Sequence, residues 1–336
     1  MKSVAIAIPC RNEEKYIGRC LDSIVLQDYP QEYLSVYVCD GKSTDATEAI
    51  IKDYSVKHPN IHFVLNEKQT TPFALNLGIV NSTADIVIIL GAHSEMYVDY
   101  VSSCVEAFNF GTNIGCTGGI IENVYENETA EVIGKAMSSN FGVGNAHFRT
   151  GNKDGFVDTV AFGAYKREVF DKIGLFDEEL IRNQDDEFNY RLLSAGFTIY
   201  LYRKIRSKYY VRASFEKLFK QYEQYGYWKV YVGKKHKAVT TMRQVVPLFF
   251  VLFLFAGLLL SVFHYVFFLL YLSGLLLYGL GSAYSASKQS ANSGQLGKIM
   301  LAFFILHFSY GWGYLKGIVD FFILQKSIKK QETLTR

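Results

Sequence analysis

The sequence predicts an α/β fold, a Rossmann-like domain with an open, mostly parallel sheet followed by C-terminal membrane helices, on three observations. Short continuous apolar runs recur from Val4 onward, each closed by a turn and followed by apolar residues at helical spacing, the pattern of strands buried on both faces between crossover helices. That alternation continues to about Arg203. From Gln244 to Ser287 there is then no Asp, Glu, Lys or Arg, roughly the length that two membrane-spanning helices and a tight turn require.

Val4-Ala5-Ile6-Ala7-Ile8, stopped by Pro9, is the first expected strand. Ile17, Leu21, Ile24 and Val25 then mark a helix that ends before Tyr29-Pro30. Leu34 to Cys39 reads as the second strand, ending at Asp40-Gly41. Ser43-Thr44-Asp45 opens a helix carrying Ile50 and Ile51, with Ser43 or Thr44 as its cap and Asp45 complementing its dipole. Further strands are expected over Ile61 to Leu65, over Asp85 to Leu90 and near Cys116, separated by helices over Pro72 to Ile79 and about Val98 to Phe110. From Glu122 to Asp154 the pattern weakens, and Gly142, Gly144, Gly151 and Gly155 punctuate a polar stretch expected to form a mobile loop or lid. Sheet-like and helical segments resume over Val157 to Phe162 and Lys166 to Ile173, with a last strand near Phe197 to Tyr202. A helix beginning near Asp185 should bury Phe188, Leu192 and Leu193 and leave Asp185 exposed in its first turn.

The expected domains are 1–210 for the α/β part, 211–243 for an amphipathic interface helix and 244–326 for the membrane part. Ser261 to His264 is the expected turn of the apolar hairpin. Lys229, Lys234, Lys235, Lys237 and Arg243 before it place the first span leaving the cytosol and the second returning near Lys288. Ile299 to Leu324 is either a third span or a re-entrant segment, since Lys316 and Asp320 interrupt it and Lys326, Lys329 and Lys330 favour the cytosolic side. The soluble part is expected in the cytoplasm, on a plasma membrane, because no cleavable signal pattern precedes the first strand.

The formal charge of +3 is mild, which argues against a nucleic-acid partner. Five cysteines lie scattered with no CxxC spacing, so neither a disulfide framework nor a zinc site is expected, and reduced thiols fit.

Open parallel sheets bind ligands at the carboxyl ends of their strands. Pro9-Cys10-Arg11-Asn12-Glu13 closes the first strand there and Asp40-Gly41 the second, and two acid-bearing loops on one edge outline a nucleotide pocket. Pro9, Arg11, Glu13, Asp40 and Lys68 are the candidate nucleotide-binding residues, with Asp40 left to accept hydrogen bonds from a base or ribose. Of the acids in Gln184-Asp185-Asp186-Glu187, some can serve only to favour a helix N-terminus electrostatically. An exposed Asp185 can also meet a ligand.

Taken in order, Pro9 to Glu13, Asp40-Gly41 with Ser43 and Asp45, and Gln184-Asp185 resemble the family 2 glycosyltransferases with the GT-A fold, over about Val4 to Arg203. More narrowly, Phe141 to Asn145 with Phe148-Arg149, Asp158-Thr159, Phe162 to Tyr165 and Arg182 to Asp185 are similar to the membrane-attached succinoglycan-type exopolysaccharide glucosyltransferases. The resemblance implies inverting transfer of a hexose from a nucleotide sugar, a UDP-sugar first among them, to a polyprenyl-diphosphate-linked or growing saccharide during cell-surface polysaccharide synthesis. It makes Asp185 the general base that takes the acceptor's proton, one base sufficing for one in-line displacement. Gly163, Ala164, Arg182, Gln184, Arg212, Gln221 and Trp228 are then the expected acceptor-binding residues.

The resemblance also implies a divalent metal, Mn²⁺ or Mg²⁺, held by an Asp-x-Asp after the fourth strand. This sequence has Gly91-Ala92-His93-Ser94-Glu95 there. In an extended chain His93 and Glu95 point to one side and could form an N,O site; alternatively His93 donates a hydrogen bond directly to phosphate. Gln221 and Trp228 resemble part of the Gln-x-x-Arg-Trp element of processive polysaccharide synthases, without its Arg-Trp pair. Their region is expected as a helix on membrane lipid, with Tyr and Trp at headgroup level, either docking the acceptor or only anchoring. A non-catalytic scaffold in a polysaccharide-assembly complex is the alternative that the missing Asp-x-Asp leaves open. A nucleotidyltransferase would need a glycine-rich, lysine-containing phosphate loop after the first strand, which is missing.

Overall fold

The structure, a computed structural model, describes residues 1–151, 153–211, 214–238 and 244–326. Its contacts divide the described residues into two units: Met1–Asn123 with His147–Tyr210, and Val124–Ala146 with the described residues from Val211 to Lys326.

The first unit is built on a nine-stranded sheet. In chain order its elements are β1 (Val4–Cys10), α1 (Ile17–Val25), β2 (Leu34–Asp40), α2 (Thr47–Lys57), β3 (Ile61–Leu65), α3 (Thr71–Val80), β4 (Ile86–Ile89), β5 (Ser94–Met96), α4 (Tyr100–Ala107) and β6 (Ile114–Val124), the last running just into the second unit. After α5 (Glu128–Met137) and α6 (Asn140–Val143), which belong to the second unit, come α7 (His147–Thr150), β7 (Gly155–Val157), β8 (Ala161–Lys166), α8 (Arg167–Ile173), α9 (Gln184–Ser194) and β9 (Thr198–Tyr210).

The strand order is β3-β2-β1-β4-β8-β6-β9-β5, with β7 also paired to β9. Strands β1 to β4 pair in parallel, as the βα alternation predicts. Beyond β4 the pairing turns antiparallel, β8 lying against both β4 and β6, and β9 against β5 and β7. The sheet is therefore mixed. Strand β5 is three residues long and β7 likewise, too short for a periodic signal, and the alternating pattern carries no direction for β8 and β9.

Alternation along β1 supplies both cores. Val4, Ile6 and Ile8 pack with Ile17, Leu21 and Ile24 of α1, Ile51 of α2 and Val101 of α4. Ala5 and Ala7 face the other way, with Leu75 and Ile79 of α3, Phe170 of α8 and Phe188 and Leu192 of α9. Leu193, expected on that face, is exposed. One turn of α9 buries Phe188 and Leu192 and sends the next residue outward. Strand β1 also runs on through Pro9 to Cys10, because Pro9 costs only one ladder N–H.

The second unit holds α5, α6, α10 (Phe215–His236), α11 (Val246–Ser261), α12 (Tyr265–Ser287), α13 (Ser293–Ile318) and a π-helical turn, Val319–Ile323. The expected loop between residues 122 and 154 is thus largely helical. Asn127 caps α5 by accepting from the Ala130 N–H at 3.0 Å, and Lys135 of α5 donates to Gln295 of α13 at 3.0 Å; long-range packing overrides the glycine and polar content. Helices α10 and α13 meet backbone to backbone: a Cβ on Gly226 would lie 2.0 Å from the Tyr310 carbonyl oxygen, and one on Gly313 2.0 Å from that of Glu223. A side chain at either place would drive the helices apart. Trp228, expected at headgroup level, is only 5% exposed and packs among Tyr227, Tyr231 and Phe321.

The apolar hairpin forms with its turn between Ser261 and Tyr265. Of the described residues, only those of α12 make a helix long and apolar enough to cross a membrane; α11, with 16 residues, spans about 24 Å against a hydrocarbon core of about 30 Å. Leu258, Leu259, Leu269, Leu276, Leu277 and Phe263 are exposed.

Candidate active site

Register puts three loops on one edge of the first unit's sheet. Cys10 pairs with Asp40, and Asp40 with Leu65, so the segments after β1, β2 and β3 leave the sheet side by side. Strand β8 is antiparallel to β4, with Ala164 opposite Ile88, so the start of β8 lies at the same edge as the end of β4. Helix α9 follows it there. Asn189 donates to Thr159 Oγ1 at 3.2 Å, just before β8, and accepts from the Tyr165 hydroxyl at 3.1 Å. Asp185, one turn earlier, is exposed on α9's first turn, with Oδ1 accepting from the Asp186 N–H at 2.9 Å. Burial pushes the Tyr165 phenol well up, and the nearby charges, that of Asp185 among them, add to the effect.

The edge concentrates backbone strain. Among the described residues eight non-glycine residues have positive φ, and five stand here: Asn12, Lys42 and Gln69 in the three loops, Phe162 in β8 and Asn183 before α9. Such backbones cost on the order of 1–3 kcal/mol each and persist where the surroundings over-determine them. The β1 and β2 loops do so by exchanging hydrogen bonds. Asn12 N–H donates to Ser43 Oγ and Thr44 N–H to Asn12 Oδ1, each at 2.8 Å; Glu13 N–H donates to Thr47 Oγ1 at 2.8 Å and Ala46 N–H to Glu14 Oε2 at 2.9 Å. Gly41 lies between the β1 and β3 loops: a Cβ there would stand in ordinary contact, 3.4 Å, with the Arg11 side chain and the Gln69 Cα. The Arg11 Nε is buried with no hydrogen-bond partner among the described residues.

Asp40 is fully buried. Its Oδ2 accepts from Ser43 N–H at 2.9 Å and its Oδ1 from Ser43 Oγ at 2.5 Å, so it organises the loop and does not face a base or ribose freely. Ser43 is accordingly not a helix cap: α2 starts at Thr47, whose N–H bonds Asp45 Oδ1 at 3.0 Å. Lys68 is exposed, and Pro9 is half-buried within β1.

After β4 the extended chain assumed for residues 93 to 95 is interrupted. Ala92 and His93 form a turn and β5 begins at Ser94, so His93 and Glu95 take different partners. His93 Nδ1 lies 3.5 Å from Glu13 Oε1, with its ring at an edge contact to Tyr209. Glu95 pairs with Lys208 at 3.2 Å and accepts from the Tyr210 hydroxyl. Burial alone would raise the Glu95 carboxyl, but Tyr210 and Lys208 outweigh it and hold it below its ordinary value. Position 91 is crowded for a side chain, because a Cβ would lie 3.0 Å from Phe162 Cε1 and 3.3 Å from Ser94 Oγ. Phe162 is itself anchored by the Tyr100 hydroxyl, 2.7 Å from its carbonyl oxygen. Among the described residues no group of three or more His, Cys, Asp or Glu could hold a metal ion; Glu13 and His93 form an N,O pair.

Gly163 and Ala164 are buried in β8, Gly163 making way for Cys116 Sγ and the Tyr165 ring. Arg182 and Gln184 are half-buried on the approach to α9. Gln221, whose side chain donates to the Tyr225 hydroxyl at 2.8 Å, and Trp228 belong to the second unit, and Arg212 lies outside the described residues.

Two clamps fix the Gly174–Asp177 turn before α9. The buried Asn76 amide exchanges bonds with Phe176 N–H and its carbonyl at 3.0 and 2.9 Å. Arg191 makes a bidentate pair with buried Glu187, both contacts 2.8 Å, and donates to the carbonyls of Ile173 and Leu175. Sequence reasoning singled out neither clamp; only an Asn on a buried helix face could have hinted at one. Arg149, noted in the sequence only as part of the resemblance, has its guanidinium over the Tyr209 ring with Nη1 buried and without a hydrogen-bond partner among the described residues.

The family model described as "Glycosyl transferase family 2" matches residues 5–174. A dolichyl N-acetyl-alpha-D-glucosaminyl phosphate 3-beta-D-2,3-diacetamido-2,3-dideoxy-beta-D-glucuronosyltransferase of Methanococcus voltae is 38% identical over 233 residues, covering 67% of this chain and 72% of that protein. The succinoglycan biosynthesis protein ExoA of Rhizobium meliloti (strain 1021) is 29% identical over 248 residues, 73% of this chain and 74% of that one. The mannosyltransferase PcManGT from Pyrobaculum calidifontis, solved in complex with GDP-Man and Mn²⁺, superposes with a TM-score of 0.63 at 16% identity, covering 95% of this chain and 88% of that chain, a likeness of fold.

Proposed function

We propose, from the premise that this chain belongs to glycosyl transferase family 2, that it moves a hexose-type sugar from a nucleotide diphosphate donor to a lipid-linked saccharide acceptor in the synthesis of a cell-surface polysaccharide or glycan. The observation that carries the reading is the convergence of five left-handed, non-glycine residues on the sheet edge where Asp185 stands exposed. The Asn12, Lys42 and Gln69 turns shape a rigid nucleotide cleft, with Arg11 supplying an unpartnered buried N–H. Asp40 keeps that cleft in shape through Ser43.

Asp185 acts as the general base. Exposed and acceptor-only when ionised, it takes the proton of the acceptor hydroxyl as that oxygen attacks the anomeric carbon opposite the leaving nucleoside diphosphate, which inverts the centre. The Asn76 and Glu187–Arg191 clamps orient the helix start that carries it. His93, at the end of β4, is a residue that would hold a divalent cation, whose chemistry when bound is to offset charge on the departing diphosphate. A relative named for a dolichyl-phosphate-linked substrate and another for succinoglycan synthesis support the acceptor class.

The exposed apolar surface of α11 and α12 supports membrane attachment. On this reading the α11–α12 hairpin enters the bilayer and returns to the cytoplasmic side, residues 1–210 form the cytoplasmic catalytic part, residues 211–243 an interface helix region and residues 244–326 the membrane part. A thermal-shift screen of the full chain in detergent against UDP, GDP and dTDP tests the function: one nucleotide should raise the melting temperature by mass action, and its sugar conjugates should release nucleoside diphosphate on incubation. No shift and no release with any of the three would refute the reading.

A further inference from the structure

The geometry points to Glu13 and His93 together as the protein's divalent-cation site, with the loop after β1 supplying the carboxylate that position 91 lacks. This deepens the proposed function and rests on its nucleotide diphosphate donor. Four observations lead there. Position 91 carries no acid and is crowded by Phe162 and Ser94. Glu95 is committed to Lys208 and Tyr210. Glu13 Oε1 stands 3.5 Å from His93 Nδ1, close to the separation of about 3 Å between neighbouring donors on an octahedral ion with bonds of about 2.1 Å. Both donors are also preset: Glu13 through its N–H bond to Thr47 and its carbonyl bonds from Tyr16 and Ile17, His93 through the Tyr209 ring.

One imidazole and one carboxylate suit Mn²⁺ better than Mg²⁺, which prefers oxygen alone. Two protein donors leave several coordination positions open. Diphosphate oxygens can fill these, so cation and nucleotide should bind cooperatively, each strengthening the other by the same factor. An ordinary ion pair between Glu13 and His93 would show no such linkage.

The test is Mn²⁺ binding to the full chain in detergent, read by electron paramagnetic resonance with and without UDP or GDP. Wild type should bind Mn²⁺ weakly alone and at least tenfold more tightly with one of the nucleotides. Glu13→Gln, which keeps the shape of the side chain, and His93→Ala should each weaken the ternary site tenfold or more, with melting temperature in the absence of ligand unchanged, whereas Glu95→Gln should leave it as it is. Ternary Mn²⁺ binding that is as tight in Glu13→Gln as in wild type, or that falls with Glu95→Gln instead, overturns the assignment and leaves glycosyl transfer standing. Failure of wild type to bind UDP, GDP or dTDP, with or without Mn²⁺, overturns both.

Discussion

The loops after β1 and β2 and the segment after β4 leave the same edge of one sheet and are held there in different ways. The first two are zipped to each other by side chain to backbone bonds between residues 12–14 and 43–47, all from a short recurring set of Asn, Ser, Thr, Asp and Glu. The segment from Gly91 to Met96 is held by partners far away in sequence: Phe162, Tyr209, Tyr210, Lys208 and Glu13. The first two loops, 31–34 residues apart in sequence, hold one another, whereas the segment after β4 draws on three separate stretches of chain, so a change in any of the three reaches it.

Breaking the buried ion pair that clamps the start of α9 should cost most. Arg191→Ala leaves Glu187 buried and unpaired and frees the Ile173 and Leu175 carbonyls, so stability should fall by about 3–5 kcal/mol, measurable by denaturant unfolding of the full chain in detergent. Asp40→Ala strips the acceptors from Ser43 in a fully buried place and should cost about 1–3 kcal/mol, with nucleotide affinity falling alongside; a variant that melts like wild type would show the zipper to be redundant. Gly91→Asp, which puts back the acid that the resemblance called for, should lower stability by about 1 kcal/mol through overpacking on Phe162 and leave Mn²⁺ affinity no better.

The smallest effect concerns pH. The carboxyl of Glu95 is depressed on folding, so its stabilisation is present above the unfolded value of about 4.3 and is lost as pH falls through the lower folded value. Because Lys208 is partly solvated, the contribution should be under about 1 kcal/mol. The melting difference between wild type and Glu95→Gln at pH 7 should therefore shrink toward zero in acid.

The contrast also explains what the sequence made legible. Strands β1 to β4 and helices α1 to α3 announce themselves, because apolar runs and helical spacing are local signals and a buried parallel strand needs no partner pattern to be recognised. The antiparallel turn of the sheet, the three-residue β5 and the left-handed Phe162 are consequences of pairing and packing and leave no trace in spacing. His93 was recognisable as unusual, but its partner was sought two residues away in Glu95, where an extended chain would put it. The turn at Ala92 and His93 sends it to Glu13. Likewise Glu122 to Asp154 reads as a loop until α13 is brought against α5, and Trp228 reads as interfacial until Phe321 covers it.

The most direct measurement is steady-state transfer by Asp185→Asn beside wild type, with the donor identified by the nucleotide screen. If Asp185 is the base, kcat falls by about 10²- to 10⁴-fold while nucleotide affinity and melting temperature stay within error of wild type. A variant that keeps its kcat, or loses activity only in step with nucleotide affinity, contradicts the account.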